Sequence, residues 1–147
     1  MSYWDTSCLV KLYTPEDDSA IFIEYLRANP LCVTAGLSLL EFWATIRRKE
    51  AEAGLAPGKA KTVQDSLESD VLAGSVTVIQ FDPEIRRAYF EVVEQCLSQK
   101  PALFIRTNDA LHLATAKSTV ETEIVATDKR LRDAALLSGF SVFPRQT

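Results

Sequence analysis

The chain has 147 residues, a formal net charge of −4, 47% apolar residues and 24% charged residues. This length predicts a single domain over residues 1–147, and the net acidity argues against a uniformly basic surface for nucleic acid, although local basic patches remain compatible with it. No apolar run approaches the roughly 20 residues that span a bilayer, and no secretory signal pattern is present, so we expect a cytoplasmic protein with no membrane partner. The three cysteines lie among apolar neighbours and favour buried reduced thiols over disulfides or a zinc site: Cys8, Cys32 and Cys96.

The first residues predict a strand that leads directly into a helix. Residues 3–4, Tyr-Trp, suit a buried strand, whereas residues 5–7, Asp-Thr-Ser, have side chains that cap helices. The mostly apolar segment 8–13 predicts a short helix that ends before Pro15. Asp5 is therefore expected at the carboxyl end of a first strand, the edge at which parallel sheets bind ligands.

Strands and helices alternate along the rest of the chain. The strand at 76–81 is the clearest because it is rich in β-branched residues, and Asp82 with Pro83 gives the next helix a cap and a proline at its first position. The alternation predicts an α/β domain with right-handed crossovers, a central parallel sheet of about four to five strands and helices on both faces. In chain order, the remaining predicted elements are helix 19–28, strand 31–34, helix 38–53, helix 59–72, strand 76–81, helix 83–98, helix 108–116, strand 124–126, helix 129–137 and strand 141–143.

Four acidic residues lie near predicted helix starts, and each has a structural interpretation when taken alone. Asp5 and Asp128 are suitable N-caps, and Glu41 forms a capping box with Ser38. Asp109 lies in a first helical turn, where a negative charge suits the helix dipole. Taken singly, capping is the favoured interpretation of every one.

Taken together, the four acids fit capping less well, because apolar neighbours such as Leu40 and Ala110 indicate buried surroundings. Acids that follow neighbouring strands of a parallel sheet converge on one crevice. Clustered carboxylates repel and burial raises their pKa values, so such a pocket is unfavourable unless a cation fills it. Oxygen ligands without a cysteine or histidine cluster favour Mg²⁺ or Mn²⁺ over zinc. The chemistry that needs this arrangement is phosphodiester hydrolysis by metal-activated water.

In this hypothesis the four acids are both catalytic and metal-binding. Asp5 and Asp109 are the principal ligands, and Glu41 and Asp128 complete the site directly or through water. Hydroxyl side chains beside the acids are candidates to hold these carboxylates in place: Thr6, Ser7 and Thr127.

The segments that contain these acids also carry a resemblance to a known family. They are YWDTS at 3–7, LVKLY at 9–13, LLE at 39–41, NDALHLA at 108–114 and ATDKRL at 126–131. In this order, over nearly the whole chain, they resemble the PIN-domain proteins, and most of all the VapC toxin ribonucleases of bacterial and archaeal toxin–antitoxin modules.

The resemblance implies a Mg²⁺-dependent endoribonuclease, with Mn²⁺ able to substitute, that cuts a particular RNA and inhibits translation. It also implies a homodimer and a cognate VapB-like antitoxin that wraps the toxin and blocks its site. Carried over by position, the acidic quartet of the family is Asp5, Glu41, Asp109 and Asp128, the same set that the sheet argument selects. Residues 49–74 match no motif of the family, so their part in substrate and partner specificity stays open.

The only histidine, His112, lies three residues after Asp109 and near the same helical face. It could bind metal or carry protons. A structural role with hydrogen bonds in the core is favoured, because a di-iron site of the ferritin type takes an acid-x-x-His pattern from each of two helices and the sequence has no second histidine.

Four basic residues near the acids are candidates to bind RNA phosphates, and the competing interpretation is solvated charges or ion pairs with Glu50 and Glu52. The two interpretations are evenly balanced for Lys129 and Arg130, whereas solvation is favoured for Arg48 and Arg106. The two tryptophans, Trp4 and Trp43, are assigned to the core rather than to base stacking.

Two further functional classes compete with the ribonuclease. A catalytically silent PIN-like module would bind RNA or a protein partner without cutting, and it would not need metal. A phosphatase of the haloacid dehalogenase type is disfavoured, since that chemistry uses a second Asp two residues after the nucleophile and Ser7 stands there.

Overall fold

The computed structural model describes residues 1–145, which contain five strands and seven helices. The strands are β1 (Ser2–Trp4), β2 (Cys32–Ala35), β3 (Val76–Ile79), β4 (Glu123–Val125) and β5 (Ser141–Phe143). The helices are α1 (Thr6–Tyr13), α2 (Ser19–Ala28), α3 (Gly36–Ala51), α4 (Lys59–Ala73), α5 (Pro83–Leu97), α6 (Thr107–Lys117) and α7 (Lys129–Leu137). Within this range, no helix is long and apolar enough to cross a membrane.

The strands form one parallel sheet in the order β3-β2-β1-β4-β5, so the first strand of the chain is the central one. Tyr3 of β1 is in register with Val33 of β2 on one side and with Ile124 of β4 on the other. The sheet therefore extends from β1 on both sides, with β2 and β3 on one side and β4 and β5 on the other. The carboxyl end of β1 lies at the position where the strand order reverses, which is where open α/β sheets form a crevice.

Helices cover both faces of the sheet because successive strand residues point to opposite sides. Tyr3 and Ile124 belong to the apolar cluster under α5, α6 and α7, whereas the next residues along, Trp4 and Val125, belong to the cluster under α1–α4. Both faces are therefore buried, as the mostly apolar strands predict. The α/β fold with a parallel sheet and helices on both sides is confirmed.

Several predicted boundaries differ from the structure by one or more residues, and two of the differences have identifiable reasons. The third strand ends at Ile79 rather than at residue 81, because its partner β2 ends opposite at Ala35. The long helix begins at Gly36 rather than at Ser38, and the buried Ser38 hydroxyl lies 2.6 Å from the Thr34 hydroxyl instead of capping the helix.

The predicted core is correct for most large apolar residues but not for all of them. Trp4 is fully buried, and the three cysteines are buried free thiols. Trp43, in contrast, is 41% exposed, with its ring 5.8 Å from the Arg47 guanidinium, so its assignment to the core was wrong. The buried face of α3 contains Phe42 and Ile46, and Trp43 lies outside this face.

Candidate active site

The four predicted acids line one cavity of about 650 Å³ at the carboxyl edge of the sheet. Asp5 directly follows β1, and Asp128 follows the neighbouring strand β4 and precedes α7. Glu41 lies in the second turn of α3, which continues directly from β2, and Asp109 lies in the first turn of α6. Four elements that are distant in sequence thus bring their carboxylates together.

Capping accounts for only one of the four acids. The Asp128 side chain accepts a hydrogen bond from the Leu131 backbone N–H at 3.1 Å, so this residue is the N-cap of α7. Asp5 occupies the N-cap position of α1, but its carboxylate accepts from the Ser7 hydroxyl at 2.6 Å and makes no capping bond. The capping-box interpretation of Glu41 is wrong, because α3 begins upstream of Ser38.

Glu41 is held by donors from two other helices. Its carboxylate accepts from the Thr6 hydroxyl at 2.8 Å and from the Asn108 amide at 3.2 Å, and its Oε1 lies 2.6 Å from His112 Nε2. Burial raises the pKa of Glu41, but the bond and charge of His112 and the bonds of Thr6 and Asn108 outweigh it, so the net shift is downward. The site therefore keeps Glu41 ionised.

His112 is buried and hydrogen-bonded, as the structural interpretation predicts, yet its partners belong to the candidate site. It is 1% exposed, and its Nδ1 lies 2.7 Å from the Tyr3 hydroxyl. Burial lowers the pKa of His112, but the bond to Glu41 and the charges of Asp5, Glu41 and Asp109 reverse the shift and raise it above 6.5. The sequence indicated the His112 position by its spacing from Asp109, but not its contact with Glu41.

Arg106 contacts the acids more directly than the sequence pattern predicts. Its Nε donates to Asp109 Oδ2 at 2.7 Å and its Nη2 donates to Asp128 Oδ2 at 3.1 Å, so one guanidinium bridges two of the four acids. Arg106 is therefore an ion-pair partner of two acids, although its side chain remains 57% exposed to solvent. The i,i+3 spacing of Arg106 and Asp109 was a usable signal for this pair.

The surroundings of Asp5 disfavour its charged form and raise its pKa above the ordinary value. Its 8% exposure removes water, which is the largest cause of a raised pKa, and the charges of Glu41 and Asp109 raise it further. The charge of His112 and the hydrogen bond from Ser7 act in the opposite direction but do not cancel the shift. A positive charge near Asp5 would relieve this cost.

A family model for the PIN domain matches residues 2–137, most of the chain. The chain belongs to the PIN domain family. A comparison with curated proteins found no matching sequence.

Solved structures share the fold of this PIN domain at low sequence identity. VapC20 of Mycobacterium tuberculosis, described as a toxin that cleaves the sarcin–ricin loop, is 18% identical with a TM-score of 0.66, over 91% of this chain and 95% of that one. VapBC2 of Rickettsia felis, solved on a DNA fragment of its promoter, is 18% identical with a TM-score of 0.63, over 97% of both chains. FitAcB of Neisseria gonorrhoeae is 18% identical with a TM-score of 0.65, over 97% of this chain and 96% of that one.

The other predicted site residues of the PIN domain divide into two groups. Thr6, Ser7, Thr127 and Arg48 line the cavity, and the first two bond carboxylates directly. The described residues that line this cavity do not include Lys129 or Arg130. Lys129 instead pairs with Asp133 on the surface of α7, and Arg130 is exposed.

The cavity of the PIN domain has the donor chemistry of a hard divalent cation, since its acidic ligands offer only oxygen. Within residues 1–145, however, no group of three or more acids, histidines or cysteines is already arranged to hold an ion. Each carboxylate has a protein donor instead: Ser7 for Asp5, His112 for Glu41, and Arg106 for Asp109 and Asp128. The four acids thus have the ligand chemistry that suits a divalent ion, while their oxygens are directed to protein donors.

Proposed function

We propose that this protein is a Mg²⁺-dependent endoribonuclease and the toxin of a VapBC-type toxin–antitoxin module, formed by one domain over residues 1–147. The observation that carries the proposal is the convergence of four acids from four elements on one open cavity. Membership of the PIN domain family supports it, as does the fold shared with VapC20, which is described as a toxin that cleaves the sarcin–ricin loop.

In this proposal Asp5 and Asp109 are the principal metal ligands, and Glu41 and Asp128 complete the site. The bound Mg²⁺, or Mn²⁺ in its place, would supply Lewis-acid activation of water and neutralise charge on the phosphate. The electrostatics of Asp5 support this assignment, because burial and two neighbouring acids make its carboxylate costly without a nearby cation.

The remaining residues of the cavity orient these acids and the substrate. Ser7 fixes one oxygen of Asp5, and Thr6 with His112 fixes one oxygen of Glu41. Arg48 lies on the cavity wall, where its charge suits an RNA phosphate. Lys129 and Arg130 are proposed as more distant phosphate contacts that lengthen the RNA-binding surface beyond the cavity.

The proposed partners are an RNA substrate, a second copy of the chain and a VapB-like antitoxin. Solved proteins of the same fold support the antitoxin, since one is described as VapBC2 bound to its promoter DNA and another as a toxin–antitoxin complex from Klebsiella pneumoniae. Co-purification of the chain with the product of a neighbouring small reading frame would test this part of the proposal directly.

A catalytically silent PIN module is the second candidate, and one observation favours it. All four carboxylates already have protein donors, so within the described residues the cavity is neutralised in part without metal. Calorimetric titration with Mn²⁺ separates the candidates, because a silent module has no need to bind the ion.

The decisive experiment measures RNA cleavage by the purified protein and by Asp109→Asn, with and without a chelator. We expect the variant to lose at least about 100-fold in rate, as for the removal of a major electrostatic group from an active site, and the chelator to stop cleavage by the unaltered protein. Asp65→Asn is the matched control, since Asp65 is an exposed residue of α4 that pairs with Lys61. Full cleavage by a folded Asp109→Asn protein, or cleavage that ignores the chelator, would refute the proposal.

The RNA target is identified by a separate experiment. Sequencing RNA ends after brief expression of the chain, beside the Asp5→Asn variant, should reveal new ends only with the unaltered protein. Identical ends in both would show that another nuclease made them.

A further inference from the structure

Arg106 places a permanent positive charge on two of the four acids. Its guanidinium contacts Asp109 Oδ2 at 2.7 Å and Asp128 Oδ2 at 3.1 Å. The Asp109 side chain is only 10% exposed, whereas the Arg106 side chain is 57% exposed. A mostly buried carboxylate thus has a counter-charge that reaches it from the solvent side of the cavity.

These contacts use carboxylate oxygens that a divalent ion would also use. A guanidinium donates from a planar fork and is not deprotonated in proteins, so its positive charge persists at any working pH. An ion that binds both Asp109 and Asp128 must compete with this fork. More than half of the Arg106 side chain is exposed to solvent, so the guanidinium can move away from the acids without leaving a packed core.

We infer that Arg106 is a built-in competitor of the divalent ion: it neutralises Asp109 and Asp128 in the metal-free protein and is displaced when the ion binds. The inference rests on the proposed function, because it requires that the four acids form a metal site. Its consequence is a metal affinity lower than the acids alone would give, so that the site fills only at a higher concentration of the ion.

The competing explanation is that Arg106 is only a structural connection between α6 and the start of α7. In that case the removal of its charge would lower stability and would leave metal affinity unchanged. If Arg106 competes with the ion, the same removal strengthens metal binding. The two explanations therefore predict different metal affinities for a variant without the Arg106 charge, and this affinity is measured without an activity assay.

The test is calorimetric titration of the full chain with Mn²⁺, repeated with Mg²⁺, for the unaltered protein and for Arg106→Gln. We expect affinity to rise about tenfold in the variant, the combined effect of two partly exposed ion pairs. Arg106→Lys should lie between them, because an ammonium keeps the charge but cannot span two carboxylates as a fork does. It also provides a second variant if Arg106→Gln is poorly folded, which thermal unfolding would reveal.

Arg48→Gln is the matched control. It removes the same charge from the wall of the same cavity, and Arg48 is not one of the donors to the four carboxylates in the described structure. We expect the metal affinity of this variant to change by less than about twofold, since an exposed charge without a direct carboxylate contact is screened by water and salt.

Each outcome distinguishes the inference from the function on which it rests. Tighter metal binding by Arg106→Gln and not by Arg48→Gln supports competition. A result in which Arg106→Gln binds the ion and the unaltered protein does not also supports it. If Arg106→Gln binds the ion no more tightly than the unaltered protein, or if Arg48→Gln gains as much affinity as Arg106→Gln, the competition is overturned and the proposed metal site is retained. No binding by either the unaltered protein or Arg106→Gln overturns both the competition and the metal-dependent function.

Discussion

Replacement of Tyr3 by phenylalanine removes one oxygen atom from the centre of the molecule. The Tyr3 hydroxyl lies 2.7 Å from His112 Nδ1, and both side chains are almost completely buried. When His112 is neutral, a hydroxyl that donates to Nδ1 leaves the imidazole proton on Nε2, from which it is donated to Glu41. When His112 is charged, both ring nitrogens donate and the phenolic oxygen accepts. In either state, Tyr3→Phe leaves Nδ1 without its partner.

The expected cost follows from burial at this position. Tyr3 is 0% exposed and His112 1% exposed, so water cannot replace the lost partner without opening the core. A buried polar group left unsatisfied costs about 1–3 kcal/mol of folding free energy. In a chain of this size each kcal/mol lowers Tm by about 2–4 °C.

Urea unfolding of the metal-free protein and of Tyr3→Phe measures this cost, with Tyr89→Phe as the control. Tyr89 is partly buried on α5 and its hydroxyl has no hydrogen-bond partner in the described part of the chain, so its replacement should change stability by less than about 0.5 kcal/mol. A double variant that also carries His112→Leu should show a coupling free energy of about 0.5–3 kcal/mol. If the free energy of unfolding of Tyr3→Phe falls no more than that of the control, the reasoning that this buried hydrogen bond stabilises the fold is refuted.

Two further predictions concern the acids and His112. Asp128 caps α7 through the Leu131 N–H, so Asp128→Ala should lower the free energy of unfolding by about 1 kcal/mol. Asp128→Asn should retain most of this stability, because an amide oxygen can accept the same hydrogen bond. Equal losses in the two variants, measured by urea unfolding, would assign the effect to the lost charge instead. The pKa of His112 is raised above 6.5 in the folded state, so its charged form stabilises the fold fully below pH 6.5, and this contribution is lost as pH rises through the folded pKa. The stability difference between the unaltered protein and His112→Gln, followed by urea unfolding, should therefore shrink as pH increases above 6.5, and a difference that grew with pH would contradict the shift.

Local signals in the sequence were sufficient for the element order and for the α/β class. Short apolar strands and amphipathic helices carry their own periodicity, and the Asp82-Pro83 helix start is confirmed by the Asp82 side chain, which accepts from the Ile85 N–H at 2.8 Å. Boundaries that depend on a partner were not predictable in the same way. The end of β3 is set by the end of β2, more than forty residues earlier in the chain.

The convergence of the four acids was predictable because parallel strands share one carboxyl edge. The partners of those acids were not, since they depend on side-chain contacts between distant segments. His112 and Glu41 are 71 residues apart, and Arg106 reaches Asp128 across 22 residues. Only the three-residue spacing of Arg106 and Asp109 offered a local indication, and it is a spacing that many solvated pairs share.

The central position of β1 affects how the molecule is completed during its synthesis. Its second neighbour, β4, ends at Val125, so β1 is synthesised more than a hundred residues before the strand that covers its second edge. At roughly 5–20 residues per second, the interval between translation of Trp4 and of Val125 lasts on the order of 10 s. Glu41 and Asp109 are added in the course of that interval and Asp128 only after it, so the cavity cannot assemble before residue 128 has been synthesised.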